Sequence, residues 1–341
     1  MSKSSYKDAG VDIEAGEEAV DRIKKTVKNT FNKNVLAEIG GFGGLYHLDL
    51  EKWKNPVLVS SVDGVGTKLI IAEMMKKYDT VGQDLVNHCV NDIFVQGASP
   101  QFFMDYIGVG KLHPQKMEEI VKGFSQACIE NNMSLIGGEM AEMPGIYQDD
   151  DFDLAGMIVG LVEKDKILTG NKIKEGNIVL GLSSNGLHTN GYSLARKIVF
   201  DILKLKLNKY IDELEASIGS ALLKVHKSYY PILKESYEEN LINGMAHITG
   251  GGIEGNLKRV IPDGLTADID VSTWTEPPLF GFLRKSGKIE KKEMFKTFNM
   301  GIGMIVIVDK EDVDKVKTKV KCFEIGRIVK KSKEKVRLIN V

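Results

Sequence analysis

Apolar residues along this chain repeat with two different periods, which predicts a mixture of helices and strands. Val20, Ile23 and Val27 recur at intervals of three and four residues, the spacing of one helix face, and predict a helix over 17–30. Short apolar runs such as 56–61, followed by a turn rich in glycine, are typical of strands.

The two patterns alternate along the chain. Strands are predicted near 56–62, 101–109, 134–136, 152–162, 178–182, 303–308, 322–329 and 335–339. Helices are predicted near 17–30, 67–77, 81–96, 116–130 and 313–319, with a charged helical region over 212–240. Because strands and helices are interleaved, the predicted fold class is α/β or α+β.

A polar stretch over 163–176 separates two series of such elements. The length of 341 residues is also that of two typical domains. We therefore expect an N-terminal domain over 1–168 and a C-terminal domain over 169–341.

Composition excludes some classes of protein. A net charge of −1 gives no general basic field for nucleic acid. Hydrophobic residues at 43% and charged residues at 27% are typical of a globular protein. No apolar run approaches the roughly 18 residues of a membrane span, and residues 1–6 lack the apolar core of a signal peptide.

The cysteines Cys89, Cys128 and Cys322 lie far apart and form no paired motif. This pattern favours buried thiols in a reducing compartment over a disulfide framework. We expect a cytoplasmic protein that binds neither membrane nor nucleic acid.

The segment Asp63-Gly64-Val65-Gly66-Thr67-Lys68 joins a predicted strand to a predicted helix. Glycines let the backbone approach a phosphate, and a helix N-terminus presents N–H groups to an anion. Lys68 adds a positive charge, while Asp63 offers the oxygen ligands that Mg²⁺ prefers. The spacing differs from that of a Walker P-loop. An isolated Asp-Gly pair is more often an ordinary turn, but the neighbouring lysine and glycine clusters favour a nucleotide site.

The predicted helix 81–96 has an unusual polar face. Asp84, His88 and Asp92 follow one another at intervals of four, and Asn91 lies beside them. This face is either the exposed side of an amphipathic helix or part of a metal site. The apolar surroundings favour the site, because a half-buried carboxylate needs a cation or hydrogen bonds.

Two further acidic residues each have a structural and a functional interpretation. Asp105 lies among large apolar residues of a predicted strand, where it is either a satisfied core carboxylate or a functional group. Glu139, in Gly137-Gly138-Glu139, follows a predicted strand and is either a metal ligand or a helix-capping residue.

Glycine clusters recur later in the chain. The turn 183–191 contains His188 and Asn190, and the segment His247-Ile248-Thr249-Gly250-Gly251-Gly252 precedes a predicted helix. Each is either a polar loop or an anion-binding turn, and we favour binding of a substrate phosphate. The loop Gly40-Gly41-Phe42-Gly43-Gly44 is a weak signal alone, since such loops also serve as mobile lids. We find no nucleophile triad, no zinc-protease motif and no Rossmann unit.

Taken together, these residues resemble phosphoribosylformylglycinamidine cyclo-ligase, also called aminoimidazole ribonucleotide synthetase. The resemblance spans nearly the whole chain. The matching segments are 5–13, 40–45, 59–69, 90–98, 102–106, 137–147, 183–194, 247–252 and 297–304. The departures from the family pattern are Val62, Met140, Asn185, Thr189 and Lys258, and none removes an ionisable group of the predicted site.

The resemblance implies that ATP phosphorylates the formyl oxygen of formylglycinamidine ribonucleotide, after which a substrate nitrogen closes the ring and phosphate leaves. It implies Mg²⁺ on Asp63, Asp92 and Glu139, and catalytic roles for Lys68, His188 and His247. The implied nucleotide ligands are Gly41, Gly43, Gly44, Gly64, Gly66, Thr67, Lys68 and Asn91. The implied substrate ligands are Asn190, Thr249, Gly250 and Gly251.

The family fold implies that the N-terminal domain binds ATP and pairs its strands with a second copy in a dimeric barrel. The C-terminal α/β domain then completes the substrate site. The alternatives are other ATP-dependent relatives: selenophosphate synthetase, thiamine-monophosphate kinase and formylglycinamidine ribonucleotide synthetase. The first would have a reactive cysteine near the N-terminus, whereas this chain has none before Cys89.

Overall fold

The structure, a computed structural model, describes residues 6–341. Residues 1–5, which bear on the signal-peptide argument and begin the matching segment 5–13, lie outside this range. The chain divides into two compact units, one formed by Met1–Ile93 with Ala98–Lys164 and one by Phe94–Gly97 with Asp165–Val341. The domain limits 1–168 and 169–341 stay a prediction.

The first unit contains four helices and four strands among the described residues. The helices are α1 (Ile13–Lys28), α2 (Lys68–Met75), α3 (Asp79–Phe94, whose last residue belongs to the second unit) and α4 (Pro114–Glu130). The strands are β1 (Pro56–Gly64), β2 (Ser99–Val109), β3 (Ser134–Glu142) and β4 (Phe152–Glu163). They form one sheet in the order β1-β4-β2-β3, in which only the β2–β3 pair is parallel.

Helix α1 shows how the sequence determines these elements. The Asp12 carboxylate accepts the backbone N–H of Ala15 at 3.2 Å and caps the first turn. Ala19, Ile23 and Val27, four residues apart, form the buried side. The predicted helix 17–30 therefore exists, but its start was placed four residues too late because the cap at Asp12 was overlooked.

The second unit is built on a larger sheet. Its strands are β5 (Ile178–Ser183), β8 (Gly244–His247), β9 (Leu265–Asp270), β10 (Ile302–Val308), β11 (Phe323–Lys330) and β12 (Val336–Ile339), with β6 (Tyr210–Ile211) and β7 (Ala216–Ser217) as a separate hairpin. The order in the large sheet is β12-β9-β11-β5-β10-β8. Every residue of β10 is buried, so the core of this unit lies along that strand.

Helices follow most of these strands. They are α5 (Tyr192–Arg196), α6 (Ile218–Leu222), α7 (Tyr230–Glu238), α8 (Gly252–Leu257), α9 (Pro278–Gly287), α10 (Lys291–Thr297) and α11 (Val313–Lys319). The mixed α/β prediction is confirmed. Within residues 6–341, no helix combines the length and apolarity that crossing a membrane requires.

Two further predicted elements were wrong in extent. Strand β3 does not stop at residue 136 but continues through Gly137 and Gly138 to Glu142, because it pairs with β2 as far as Val109. The region 212–240 is not continuously helical, since it contains the strand β7, two short helices and an irregular segment over 223–229. Its high charge reflects exposure rather than one helix.

Candidate active site

In the first unit, Asp63 from the end of β1 meets the polar face of α3. The Asp63 Oδ2 atom lies 3.1 Å from Nε2 of His88, and Oδ2 of Asp92 lies 3.6 Å from the same nitrogen. Oδ1 of Asp63 accepts the N–H of Gly64 at 2.9 Å. The structure therefore brings Asp63 next to the polar face of α3, and Asn91 is buried on the same helix.

Electrostatics favour an ionic pair at this point. Burial raises the pKa of Asp63, but the hydrogen bond and charge of His88 outweigh burial and hold that pKa below its ordinary value. Burial lowers the pKa of His88, but Asp63 and Asp92 outweigh burial and raise it. Both shifts therefore favour the charged forms of Asp63 and His88.

Lys68, the first residue of α2, is fully buried. Its Nζ lies 2.7 Å from Oδ2 of Asp84, whose side chain is also inaccessible. Burial lowers the pKa of Lys68, and the nearby Asp84 opposes that shift without cancelling it. The turn before α2 contains Gly66, with a φ of 70°, and Thr67. A direct contact of Lys68 with phosphate stays a prediction.

The glycine loop borders a cavity of about 210 Å³ within the first unit. Helices α1 and α4 and strands β2 and β3 form the other walls. The cavity is lined by the loop 38–44, by Val20, Ile23 and Val27, by Met104 and Asp105, by Val121, and by 135–140. Gly41, Gly43 and Gly44 are thus placed on the same cavity as Asp105 and Glu139, which were predicted independently.

Asp105 differs in character from the other carboxylates. It lines the cavity, yet burial raises its pKa to about 7. A Cβ at Gly138 would lie 2.4 Å from Oδ1 of Asp105, so the glycine in β3 makes room for this side chain. Glu139, the next residue along β3, is exposed and pairs in register with Tyr106.

The acidic residues fit a magnesium ion chemically. Asp63 and Asp92 present two carboxylate oxygens around one point, and such hard oxygen donors suit Mg²⁺. Glu139 is an exposed carboxylate on the cavity of the glycine loop, whose lining includes neither Asp63 nor Asp92. The magnesium assignment of these three residues stays a prediction.

The second unit contains the other predicted residues. His188 lies in the turn after β5 with a φ of 61°, and its Nε2 accepts the N–H of Asn185 at 3.2 Å. His247 ends β8. Asn190 lies close to the triple glycine, because a Cβ at Gly250 would be 3.2 Å from its Oδ1. The turn 183–191 and the segment 247–252 therefore meet, as expected for one substrate site.

A third histidine joins them. The rings of His188 and His226 stack with centroids 4.1 Å apart, and Nε2 of His226 lies 3.0 Å from Nε2 of His247. All three histidines are buried. The sequence analysis missed His226, because its neighbours Lys224 and Lys227 made the segment resemble an exposed charged helix.

Two asparagines, also missed, stabilise the glycine turns. Asn256 donates from Nδ2 to the carbonyl oxygen of Gly252 at 2.8 Å and accepts the Thr249 hydroxyl at 3.2 Å. Asn299 accepts the Ser184 hydroxyl at 2.9 Å and donates to the Gly186 carbonyl at 2.8 Å. Gly251 precedes α8 with a φ of 92°, which a larger side chain adopts only with strain.

Comparisons with known proteins match both units. The family model of the AIR synthase related protein N-terminal domain matches residues 48–162, and that of the C-terminal domain matches residues 174–339. The phosphoribosylformylglycinamidine cyclo-ligase of Alkaliphilus oremlandii is 50% identical over 312 residues, covering 92% of each chain. That of Bacillus cereus strain B4264 is 50% identical over 327 residues, covering 96% of this chain and 94% of the relative.

A solved structure agrees at the level of the fold. Thiamine-monophosphate kinase from Stenotrophomonas maltophilia K279a superposes with a TM-score of 0.69 over 94% of this chain and 95% of its own, at 15% identity. Identity that low supports a shared fold alone, whereas the 50% identity of the cyclo-ligases extends through both units. The chain therefore belongs to the phosphoribosylformylglycinamidine cyclo-ligase family.

Proposed function

We propose that this protein uses ATP to close the imidazole ring of formylglycinamidine ribonucleotide, forming aminoimidazole ribonucleotide, ADP and phosphate in purine biosynthesis. The observation that supports this most strongly is the 50% identity to relatives named as cyclo-ligases over more than nine-tenths of the chain.

The chemistry requires activation of a poor leaving group. ATP transfers its terminal phosphoryl group to the formyl oxygen, which turns that oxygen into part of a phosphate. A substrate nitrogen then attacks the carbon, so that a C–N bond forms, the C–O bond breaks, and the nitrogen loses a proton. Phosphoryl transfer depends on positioning and charge neutralisation, which agrees with a site that has no nucleophile motif.

We assign the nucleotide to the first unit. Gly41, Gly43 and Gly44 let the backbone approach the nucleotide beside the cavity. Gly64, Gly66, Thr67 and Asn91 contact its phosphates. Lys68 contributes positive charge from its buried position beside Asp84. Asp63, Asp92 and Glu139 hold Mg²⁺, which when bound neutralises charge on the phosphate oxygens.

We assign the ribonucleotide substrate to the second unit. Asn190, Thr249, Gly250 and Gly251 bind its phosphate through side-chain and backbone groups. His188 and His247 move protons during ring closure, a role for which the imidazole group is well suited.

Two broader proposals complete the assignment. The enzyme is a homodimer joined through strands of the first unit, because β1 at the sheet edge exposes Leu58 and Val62. It acts in the cytoplasm, where the free thiols Cys89, Cys128 and Cys322 stay reduced.

The decisive assay measures ADP and aminoimidazole product together. With ATP, Mg²⁺ and formylglycinamidine ribonucleotide, the protein should release both in equal amounts, and it should release neither product when the ribonucleotide is omitted. ADP formed with another acceptor such as thiamine monophosphate, and no aminoimidazole, would instead place the protein's activity with a different member of the fold.

A further inference from the structure

His226 joins two parts of the second unit that the proposed function places at the substrate. It lies in the irregular segment 223–229 before α7 and is fully buried. One ring nitrogen faces His247 at the end of β8, and the other faces Thr189 in the turn after β5. No motif in the sequence connects these three segments.

The contacts form a continuous chain. Nδ2 of Asn190 donates to Oγ1 of Thr189 at 3.4 Å, and that oxygen lies 3.4 Å from Nδ1 of His226. Nε2 of His226 then lies 3.0 Å from Nε2 of His247. The chain therefore runs from a predicted substrate ligand to a predicted catalytic histidine.

The Nε2–Nε2 contact restricts the tautomers. A neutral imidazole has one donor and one acceptor nitrogen, so a hydrogen bond between two Nε2 atoms requires that only one of them bears a proton. If Nε2 of His247 donates, His226 has its own proton on Nδ1, directed at Thr189. This arrangement satisfies every contact in the chain with neutral rings.

A metal ion explains the cluster less well. Suitable ring nitrogens of His188, His226 and His247 all lie within 4.8 Å of one another, which is near enough for shared ligation. However, the rings of His188 and His226 are stacked, with planes only 21° apart. Lone pairs lie in the ring planes, so those of stacked rings lie in separate, nearly parallel planes and do not converge on one ion. Nε2 of His188 also accepts the Asn185 N–H.

We propose that His226 is a positioning residue for ring closure, which holds the Nε2 edge of His247 and receives its proton. This inference rests on the proposed function. When the attacking nitrogen of the substrate loses its proton to His247, the Nε2 proton of His247 passes to His226. The Nδ1 proton of His226 passes to Thr189, whose own proton leaves to water. One proton travels from substrate to solvent, both rings end neutral in the opposite tautomer, and exchange with water restores the first.

The test compares three substitutions that differ in which contact they keep. In His226→Gln the side-chain amide reaches the position of Nε2 and can hold His247, whereas in His226→Asn it reaches the position of Nδ1 and can meet Thr189. Neither amide relays a proton as imidazole does. His226→Ala leaves space for added imidazole. His113→Gln, at an exposed histidine of the first unit, is the matched control.

We expect all three variants to keep KM for ATP and for the ribonucleotide within about twofold and to lose about tenfold or more in kcat. In a single turnover, ADP should form at the unaltered rate while aminoimidazole forms slowly. Added imidazole should raise kcat of His226→Ala severalfold. The control should match the unaltered protein in each measurement.

Three outcomes would overturn the inference. Unaltered kcat in His226→Gln and His226→Asn would remove His226 from ring closure, even if His226→Ala failed to fold. A loss expressed only in KM would make the residue part of substrate binding. Stoichiometric binding of Co²⁺ or Zn²⁺ that depends on His226 and raises activity would establish a metal site. By contrast, failure of the unaltered protein to form aminoimidazole would refute the proposed function itself.

Discussion

Asp63 and His88 show how one contact shifts the pKa values of two residues. Burial alone would favour the neutral form of each group, raising the pKa of the carboxyl and lowering that of the imidazole. Their 3.1 Å contact, together with the charge of Asp92 beside His88, reverses both shifts. A divalent cation that binds the Asp63 carboxylate must therefore compete with His88 for it, and the Asp92 carboxylate lies 3.6 Å from the same imidazole nitrogen.

Asp92→Asn tests the metal assignment at this point. The substitution keeps the size of the side chain but removes one carboxylate from the proposed ligand set. We expect turnover at saturating Mg²⁺-ATP to fall by more than about tenfold, because charge neutralisation of the phosphates weakens. Steady-state assays over a Mg²⁺ series should also show a higher Mg²⁺ requirement.

Asp149→Asn, at an exposed aspartate of the first unit, serves as the matched control. Circular dichroism should show that both variants stay folded. Full activity of Asp92→Asn at low Mg²⁺ would exclude Asp92 from the metal site.

Asp105 gives a prediction about pH. Its pKa of about 7 exceeds the unfolded value of about 3.9, so between these values the folded state binds a proton that the unfolded state has lost. The free energy of unfolding therefore falls as pH rises from 4 to 7 and levels off above 7. Asp105→Asn should remove this loss and gain stability relative to the unaltered protein across that range.

Fluorescence of Trp53 during denaturation reports on the first unit, because the other tryptophan, Trp274, lies in the second and can be replaced by phenylalanine. Both proteins compared would also contain Trp274→Phe. If the free energy of unfolding changes with pH in the same way in Asp105→Asn as in its parent, Asp105 does not titrate as described.

The positions of candidate site residues were predictable where they follow from local sequence. Asp63 is followed at once by a glycine turn, and His88 and Asp92 share a helix face by spacing alone. His226 was not predictable, because its neighbours in space come from segments near residues 189 and 247. The buried partner of Lys68 is a similar case, since Asp84 seemed to belong with His88 rather than with the lysine.

At the scale of elements, two glycines allow α3 and α4 to pack closely. A Cβ at Gly82 would lie 2.3 Å from the Ile120 carbonyl oxygen, and one at Gly123 would lie 2.1 Å from the Asp79 carbonyl oxygen. No real Cβ fits at such distances, so the helices must separate if either glycine is replaced. On its polar face, α3 contacts the end of β1 through His88 and Asp63.

Gly82→Ala should therefore destabilise the first unit by about 1–3 kcal/mol through overpacking, despite the better helix propensity of alanine. Denaturation followed through Trp53 measures this. Gly16→Ala in α1 is the matched control, since its Cβ would meet nothing within 4 Å. That change should stabilise by about 0.5–1 kcal/mol. Equal effects of the two substitutions would mean that α3 and α4 do not approach as described.

Elements were predictable in type more often than in extent. The strand 134–136 was ended at its glycines, although pairing with β2 continues to Glu142, and Gly138 within it makes room for Asp105. The region 212–240 was assigned to helix from its charge, yet His226 needs an irregular segment there to reach His247. Tertiary contacts determined both the length of β3 and the irregular segment within 212–240. Such contacts cannot be read from the local sequence pattern.

At the scale of the whole molecule, the first sheet presents an apolar edge strand. Leu58 is 60% exposed and Val62 is 67% exposed, whereas Val59 between them is buried. An uncovered apolar strand at a sheet edge favours pairing with another chain. The net charge of −1 offers little repulsion between two copies.

The double substitution of Leu58→Asp and Val62→Asp should therefore separate the proposed dimer. Two buried negative charges per chain would face their own copies across the interface. Their desolvation and mutual repulsion would exceed the free energy that the apolar contacts contribute to dimer formation. Sedimentation velocity should give the mass of two chains for the unaltered protein and of one chain for the variant. Ile202→Asp, at an isoleucine of the second unit that is 51% exposed, is the control and should leave the dimer intact. A dimer that survives the double substitution would place the interface elsewhere, and an unaltered protein that sediments as one chain would refute the homodimer.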